Sequence, residues 1–175
     1  MSIEVDGLPD GYPFTRLYRK RVAESQDLAI IISDHQNRRG TGKTIFSLKL
    51  AALMDRTEEG ITTEKVAVGP DQLLEAYMEL PKGSALVLDE AEAGLSKYEA
   101  ASAVNRAMRE LVSMGRIQEK YLVLNLPASS ELDRDLKALC DFWFMVQNKG
   151  RALAHHLRWN PYSEEPRTPK TETWE

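Results

Sequence analysis

Cysteine is nearly absent from this sequence: Cys140 is the only one in 175 residues. An intrachain disulfide is therefore excluded, and a reducing cytosol is the natural home. Long apolar runs are missing too, and none approaches the roughly 20 residues that a membrane span needs. The start, Met1-Ser2-Ile3-Glu4-Val5-Asp6-Gly7, has neither a basic stretch nor an apolar core, so no secretory signal is visible. Positive charge is in deficit, with a net charge of −4. That argues against wholesale wrapping of nucleic acid, whose footprint is a basic face. It leaves room for a local basic patch, of which Arg16, Arg19, Lys20 and Arg21 are the densest: either such a patch or a solvated arm. What remains is ordinary for a globular chain of one domain: 42% hydrophobic and 29% charged residues.

Residues 1–27 read as an N-terminal arm, because Gly7, Pro9, Gly11 and Pro13 break regular structure early. The body of the domain, 28–160, opens on Leu28-Ala29-Ile30-Ile31-Ile32, an apolar, β-branched run of strand length. A helix is expected from Lys43 to about Asp55, and Val66-Ala67-Val68 is a short strand. Asp71 is placed to cap a helix carrying Leu73, Leu74, Tyr77 and Leu80, which Pro81-Lys82-Gly83 ends. Further strands are Ala85–Leu88, Tyr121–Leu124 and Phe142–Val146. Between them a helix has Val104, Met108, Leu111 and Met114 on one face and Arg106, Arg109, Glu110 and Ser113 on the other. Ser130 and Asp133 have the spacing of a capping box, opening a helix with Leu132, Leu136 and Leu139 inward and Cys140 packed near its end. Asn148-Lys149-Gly150 is a hairpin turn, with Arg151 to Trp159 returning. Residues 161–175, with Pro161, Pro166 and Pro169, read as a flexible tail. Alternating strands and helices specify an α/β fold of three layers around a mainly parallel sheet, with a C-terminal β-hairpin. In such sheets ligands bind beyond the carboxyl ends of the strands.

Two of those ends carry chemistry. After the first strand comes Asn37-Arg38-Arg39-Gly40-Thr41-Gly42-Lys43-Thr44, whose Gly-Thr-Gly-Lys-Thr has the ending of a Walker A phosphate loop. Glycines let backbone N–H groups curve around phosphate oxygens, and the following helix aims its N-terminus at the anion. Lys43 supplies a point charge at the β/γ phosphates, and Thr44 offers a hydroxyl to Mg²⁺. The first glycine of the pattern is replaced by Asn37, a residue tolerant of left-handed backbone. Arg38 and Arg39 meet phosphate, meet a neighbouring subunit's nucleotide, or lie in solvent at the loop tip.

Leu86-Val87-Leu88-Asp89-Glu90 is a Walker B arrangement. Two carboxylates at a strand end repel each other unless a cation is present. Asp89 is assigned to the Mg²⁺ shell and Glu90 to polarising the attacking water, with Glu92 left as a surface residue. Asn125 ends the next strand, either reading the γ-phosphate or the water, or serving as a satisfied structural amide. Arg116 is either an arginine finger toward an adjacent subunit's ATP or a surface residue at a helix end.

The order of phosphate loop, Asp-Glu strand, Met114-Gly115-Arg116, polar-ended strand Tyr121-Leu122-Val123-Leu124-Asn125-Leu126-Pro127 and then Ala138-Leu139-Cys140-Asp141 resembles the additional-strand catalytic-Glu branch of P-loop ATPases. Within it, the chain is most similar to the FtsK–HerA and zonula-occludens-toxin-like group of DNA-pumping and virus-associated ATPases, over roughly residues 28–147. That group often has Gln where this chain has Asn125. The resemblance implies a sheet in which the Asn125 strand lies between the phosphate-loop strand and the Asp89 strand. It also implies rings, often hexamers, with ATP between subunits, and DNA handling in packaging, conjugation or plasmid and virus replication. Two other functions fit the same residues: an ATP-binding switch or assembly subunit without translocation, and a small-molecule kinase. The Asp-Glu pair suits water activation better than a kinase, and no lid insertion is evident.

Overall fold

The computed structural model describes residues 7–34, 40–89, 97–113, 118–126, 137–160, 165–167 and 171–174. Its elements run α1 (Pro13–Ala23), β1 (Leu28–Asp34), α2 (Lys43–Met54), a 3₁₀ turn (Thr63–Lys65), β2 (Val66–Ala67), α3 (Pro70–Glu79), β3 (Ala85–Asp89), α4 (Lys97–Ser113) and β4 (Tyr121–Asn125). β5 (Phe142–Asn148), β6 (Arg151–His156), β7 (Arg158–Asn160), β8 (Glu165–Arg167) and β9 (Thr171–Trp174) complete them. Seven strands form one sheet in the order β2-β3-β4-β1-β5-β6-β9. The first five in that order are parallel, and β6 and β9 add antiparallel beyond them. β4 therefore lies between β1 and β3, as the sequence resemblance implies.

Alternation along the buried strands divides the core in two. Ile30, Ile32, Val87, Val123, Phe142 and Phe144 point to the face covered by α1 and α2. Ile31, Leu86, Leu88, Leu122 and Leu124 point to the face covered by α3 and α4. Strands apolar on both sides require helices on both sides, which gives the three layers. The α4 face read from the sequence holds, with Val104, Met108 and Leu111 buried and Arg106, Arg109 and Glu110 exposed, while Met114 lies outside the described residues.

Several expectations are corrected. The N-terminal arm contains a core helix: Phe14 and Tyr18 are fully buried, and Phe14 meets Phe142 and Phe144 edge-on at 5.2 Å. Phe14, Tyr18 and Val22 recur at i, i+4, i+8, a helical stripe that the upstream glycines and prolines obscure. The basic group is only partly solvated, since Arg21 pairs with Asp141 at 2.6 Å and Arg19 with Asp10 at 2.6 Å. Gly69, not Asp71, is the N-cap of α3; Asp71 sits in its first turn, where its charge still favours the helix dipole. Leu139 is 45% exposed, and Cys140 is buried in the connection before β5, where desolvation pushes its thiol up to about 12. The Ser130–Asp133 box, Leu132 and Leu136 lie outside the described residues. The strand returning from the hairpin ends at His156, and Arg158–Asn160 pairs instead with Glu165–Arg167. The expected tail supplies both that partner and β9, which pairs with β6 at the sheet edge. Short polar strands with prolines look like a tail because edge strands tolerate proline.

At the amino end of the sheet, Lys65 and Asp55 form a buried ion pair at 2.9 Å, with side chains 1% and 0% exposed. Asp55 also accepts the backbone N–H groups of Thr57 and Ala85, so α2's end is tied to the start of β3. Burial acts to raise the Asp55 pKa, but the hydrogen bonds from Thr57, Ala85 and Lys65 outweigh it and hold the carboxyl below its usual value.

Candidate nucleotide site

The carboxyl ends of β1, β3 and β4 meet at one place. Parallel register sets Asp89 opposite Asn125, and Asn125 opposite Ile32. The N–H of Leu126 donates to the Ile32 carbonyl at 2.9 Å, extending the pairing past the strand end. The chain leaves β1 at Asp34, which is 7% exposed, and re-enters regular structure at α2 through Gly40, Thr41 and Gly42. Gly40 has φ +75° and Gly42 φ +93°, left-handed conformations that L side chains rarely adopt. Glycine at these two positions lets the chain turn directly into the helix.

Gly42 is the N-cap of α2; having no side chain, it supplies no cap of its own, and no acid lies in the helix's first turn. A helix start whose N-cap has no side chain, followed by a Lys, favours an anion there. Lys43 is half-buried at that start. Thr44, one residue on, donates its hydroxyl to Asp89 Oδ1 at 3.0 Å. Asn125 Nδ2 donates to the same oxygen at 2.6 Å. Three elements thus converge on one carboxylate: α2 through Thr44, β3 through Asp89 and β4 through Asn125. Asn125 is 1% exposed, and its Oδ1 has no hydrogen-bond partner among the described residues. The Thr41 hydroxyl is likewise buried without a partner there. Orphaned buried polar atoms are uncommon in a folded chain, and a water or ion is one partner that would satisfy them.

Asn37, Arg38, Arg39, Glu90, Glu92 and Arg116 lie outside the described residues. Of the residues singled out in the sequence, Gly40, Thr41, Gly42, Lys43, Thr44, Asp89 and Asn125 are described, and all seven fall at this end of the sheet. The sequence reading missed an apolar cavity beside the loop, of about 300 Å³, between α2 and the β5–β6 turn. Its walls come from residues far apart in the chain, so no local pattern announces it.

Strand order, loop geometry and the Thr44–Asp89 contact define an α/β fold of the P-loop NTPase kind. The sequence matches no family model and no curated protein. A solved structure with a similar course is the N-terminal domain of zonular occludens toxin from Neisseria meningitidis. It is 16% identical, with a TM-score of 0.41, over 86% of this chain and 94% of that one. Among the described residues, no helix is long and apolar enough to cross a membrane.

Proposed function

We propose that this chain binds ATP at residues 37–44 and hydrolyses it with Mg²⁺, using Glu90 to activate water. The observation that carries the reading is the convergence of the Thr44 hydroxyl and the Asn125 amide on the Asp89 carboxylate, beside the N-terminus of α2. A hydroxyl and a carboxylate suit a hard divalent cation, so the donor set fits Mg²⁺, and Thr44 and Asp89 would hold it. Bound there, Mg²⁺ would offset negative charge on the phosphates.

The chain's own residues do the rest. Backbone N–H groups of the loop and the first turn of α2 hold the phosphates, and Lys43 adds a fixed positive charge. Asn125 fixes one oxygen of Asp89 and keeps its own Oδ1 for a donor at the site, which suits an attacking water. Glu90, the next residue after Asp89 in sequence, accepts that water's proton. Arg116 is assigned to charge stabilisation on the γ-phosphate of a neighbouring subunit. The finer reading, an oligomeric motor acting on DNA, is supported by the resemblance in motif order and by nothing in the charge of the chain.

Two variants test the reading. Lys43→Ala should lose nearly all Mg-ATP binding in titration calorimetry. Glu90→Gln should bind Mg-ATP normally yet turn over about 10²–10⁴-fold more slowly. Undiminished ATP affinity in the first, or undiminished turnover in the second, removes that residue from the mechanism. Stimulation of turnover by duplex DNA, with a mass measurement of the assembly, tests the motor; an unstimulated monomer refutes it.

A further inference from the structure

The phosphate loop accounts for only part of a nucleotide. Its neighbour is the cavity of about 300 Å³ that Thr41 and Gly42 themselves border. That is the lower end of the range for small-molecule sites, about 300–1,000 Å³. Phe46, Leu50 and Leu53 of α2 form one wall. They follow the phosphate-binding turn at i, i+4 and i+7, so a ligand leaving the loop along the helix meets them in sequence. Val146 and Ala152 form the facing wall, one on each side of the β5–β6 turn, and both are buried. Phe46 is half-buried and backed by Phe144, with ring centroids 5.3 Å apart, so its ring is held rather than free to collapse into the space.

The polar groups sit at the rim. Asn148, Gly150 and Arg151 of the turn are exposed there and supply amide, backbone and guanidinium groups. The turn also reaches the phosphate loop: a Cβ built on Gly42 would lie 3.8 Å from Lys149 Cγ. Gly150, with φ +86°, makes the turn tight enough to stand there. On the third side Pro9, ahead of α1, borders the cavity. An apolar slot with an aromatic wall and a polar rim, opening onto a phosphate-binding turn, fits one kind of occupant.

We propose that this cavity receives the nucleoside of the bound nucleotide, with the base against Phe46 and the β5–β6 turn governing its selection. The proposal rests on the phosphate-loop reading above. The base lies along the apolar face of α2, with its ring face on Phe46 and its heteroatoms toward Asn148 and Arg151. The antiparallel hairpin, which closes no layer of the core by its turn, then has a function: it is the second wall of the nucleotide site.

The test compares Mg-ADP with Mg-tripolyphosphate, which carries phosphates and no nucleoside. In the wild-type chain, methyl NMR signals of Leu50, Leu53 and Val146 should shift with Mg-ADP and stay in place with Mg-tripolyphosphate. Phe46→Ala should weaken Mg-ADP about tenfold or more, as loss of a base-stacking ring does, and leave Mg-tripolyphosphate within about twofold of wild type. The methyl measurement needs no variant and decides the matter if Phe46→Ala fails to fold. Binding of both ligands with unshifted cavity methyls would overturn the nucleoside assignment and leave the phosphate loop standing. Binding of neither would overturn both.

Discussion

Replacing Asn125 with Leu separates a fold-holding amide from one that serves the site. Asn125 is buried on β4, and its two polar atoms differ: Nδ2 donates to Asp89 at 2.6 Å, and Oδ1 has no partner among the described residues. A hydrogen bond to a charged group contributes about 1.5–3 kcal/mol. Removing a buried acceptor without a partner returns about 1–3 kcal/mol. Leu fills a similar shape, so little cavity cost is added. The two effects offset, and stability to urea should change by less than about 2 kcal/mol. The Asp89 carboxylate, half-buried, exchanges the lost donor for water but no longer has one oxygen fixed toward Thr44. Misplacing a positioned group by about 1 Å costs on the order of 10²-fold in rate. Turnover should therefore fall by about that factor, and the Mg²⁺ concentration for half-maximal activity should rise. Full turnover in a folded Asn125→Leu chain would refute the positioning argument. Loss of more than about 4 kcal/mol, with normal turnover per folded molecule, would make Asn125 a structural group only.

Three further predictions concern the opposite end of the sheet and the strands toward its edge. Asp55→Ala leaves Lys65 buried without its carboxylate and should destabilise the chain by about 3–5 kcal/mol in urea unfolding, with a smaller loss if Lys65→Met is added to it; an additive double variant would show that the pair is not coupled. Because the folded Asp55 pKa is lowered, its contribution is complete above about pH 4 and is lost as pH falls through the folded value, so acid unfolding should begin there and Asp55→Asn should flatten that limb. His156 is lowered first by burial and further by Arg158 and Arg21, with Asp141 opposing, so its contribution is present above its unfolded pKa near 6.5 and lost as pH falls through the lower folded value. A His156→Phe chain, keeping the ring that stacks on Phe142 at 4.8 Å, should lose stability less steeply as pH falls below about 6.5, and an unchanged slope would remove His156 from the acid response.

The strands and the loop were legible because their signals are local. Leu28–Ile32 and Ala85–Leu88 are apolar at every position, which only a strand covered on both faces explains. Gly40 and Gly42 declare a left-handed turn before any partner is known. What was missed depends on distant partners. The α1 stripe of Phe14, Tyr18 and Val22 is short, sits behind two glycines and two prolines, and has basic residues between its apolar ones, so its burial is decided by β5. β9 is Thr-Glu-Thr-Trp and gains its place only from the free edge of β6. Lys65 reads as a solvent residue until Asp55, ten positions earlier, is placed against it.

The candidate site shows how a topological rule becomes chemistry. Thr44, Asp89 and Asn125 span 81 positions by the difference of their numbers, 125 and 44, yet share one oxygen atom. Nothing local to any of them specifies that meeting. It follows from two constraints. Parallel pairing sets the last residues of β4 and β3, Asn125 and Asp89, in one row with Ile32, two residues before the end of β1. The glycine turn then folds α2 back over the row so that its first turn starts there. Inserting β4 between β1 and β3 is what gives Asp89 a neighbour of its own on the side toward the loop. With β1 and β3 adjacent, the loop strand would border Asp89 directly, and a polar residue at the end of β4 would have no carboxylate to hold. The extra strand therefore carries Asn125 to Asp89 and presents its remaining oxygen to the site. The strand order is in that sense part of the proposed site, and altering the residue at the end of β4 is the direct way to test it.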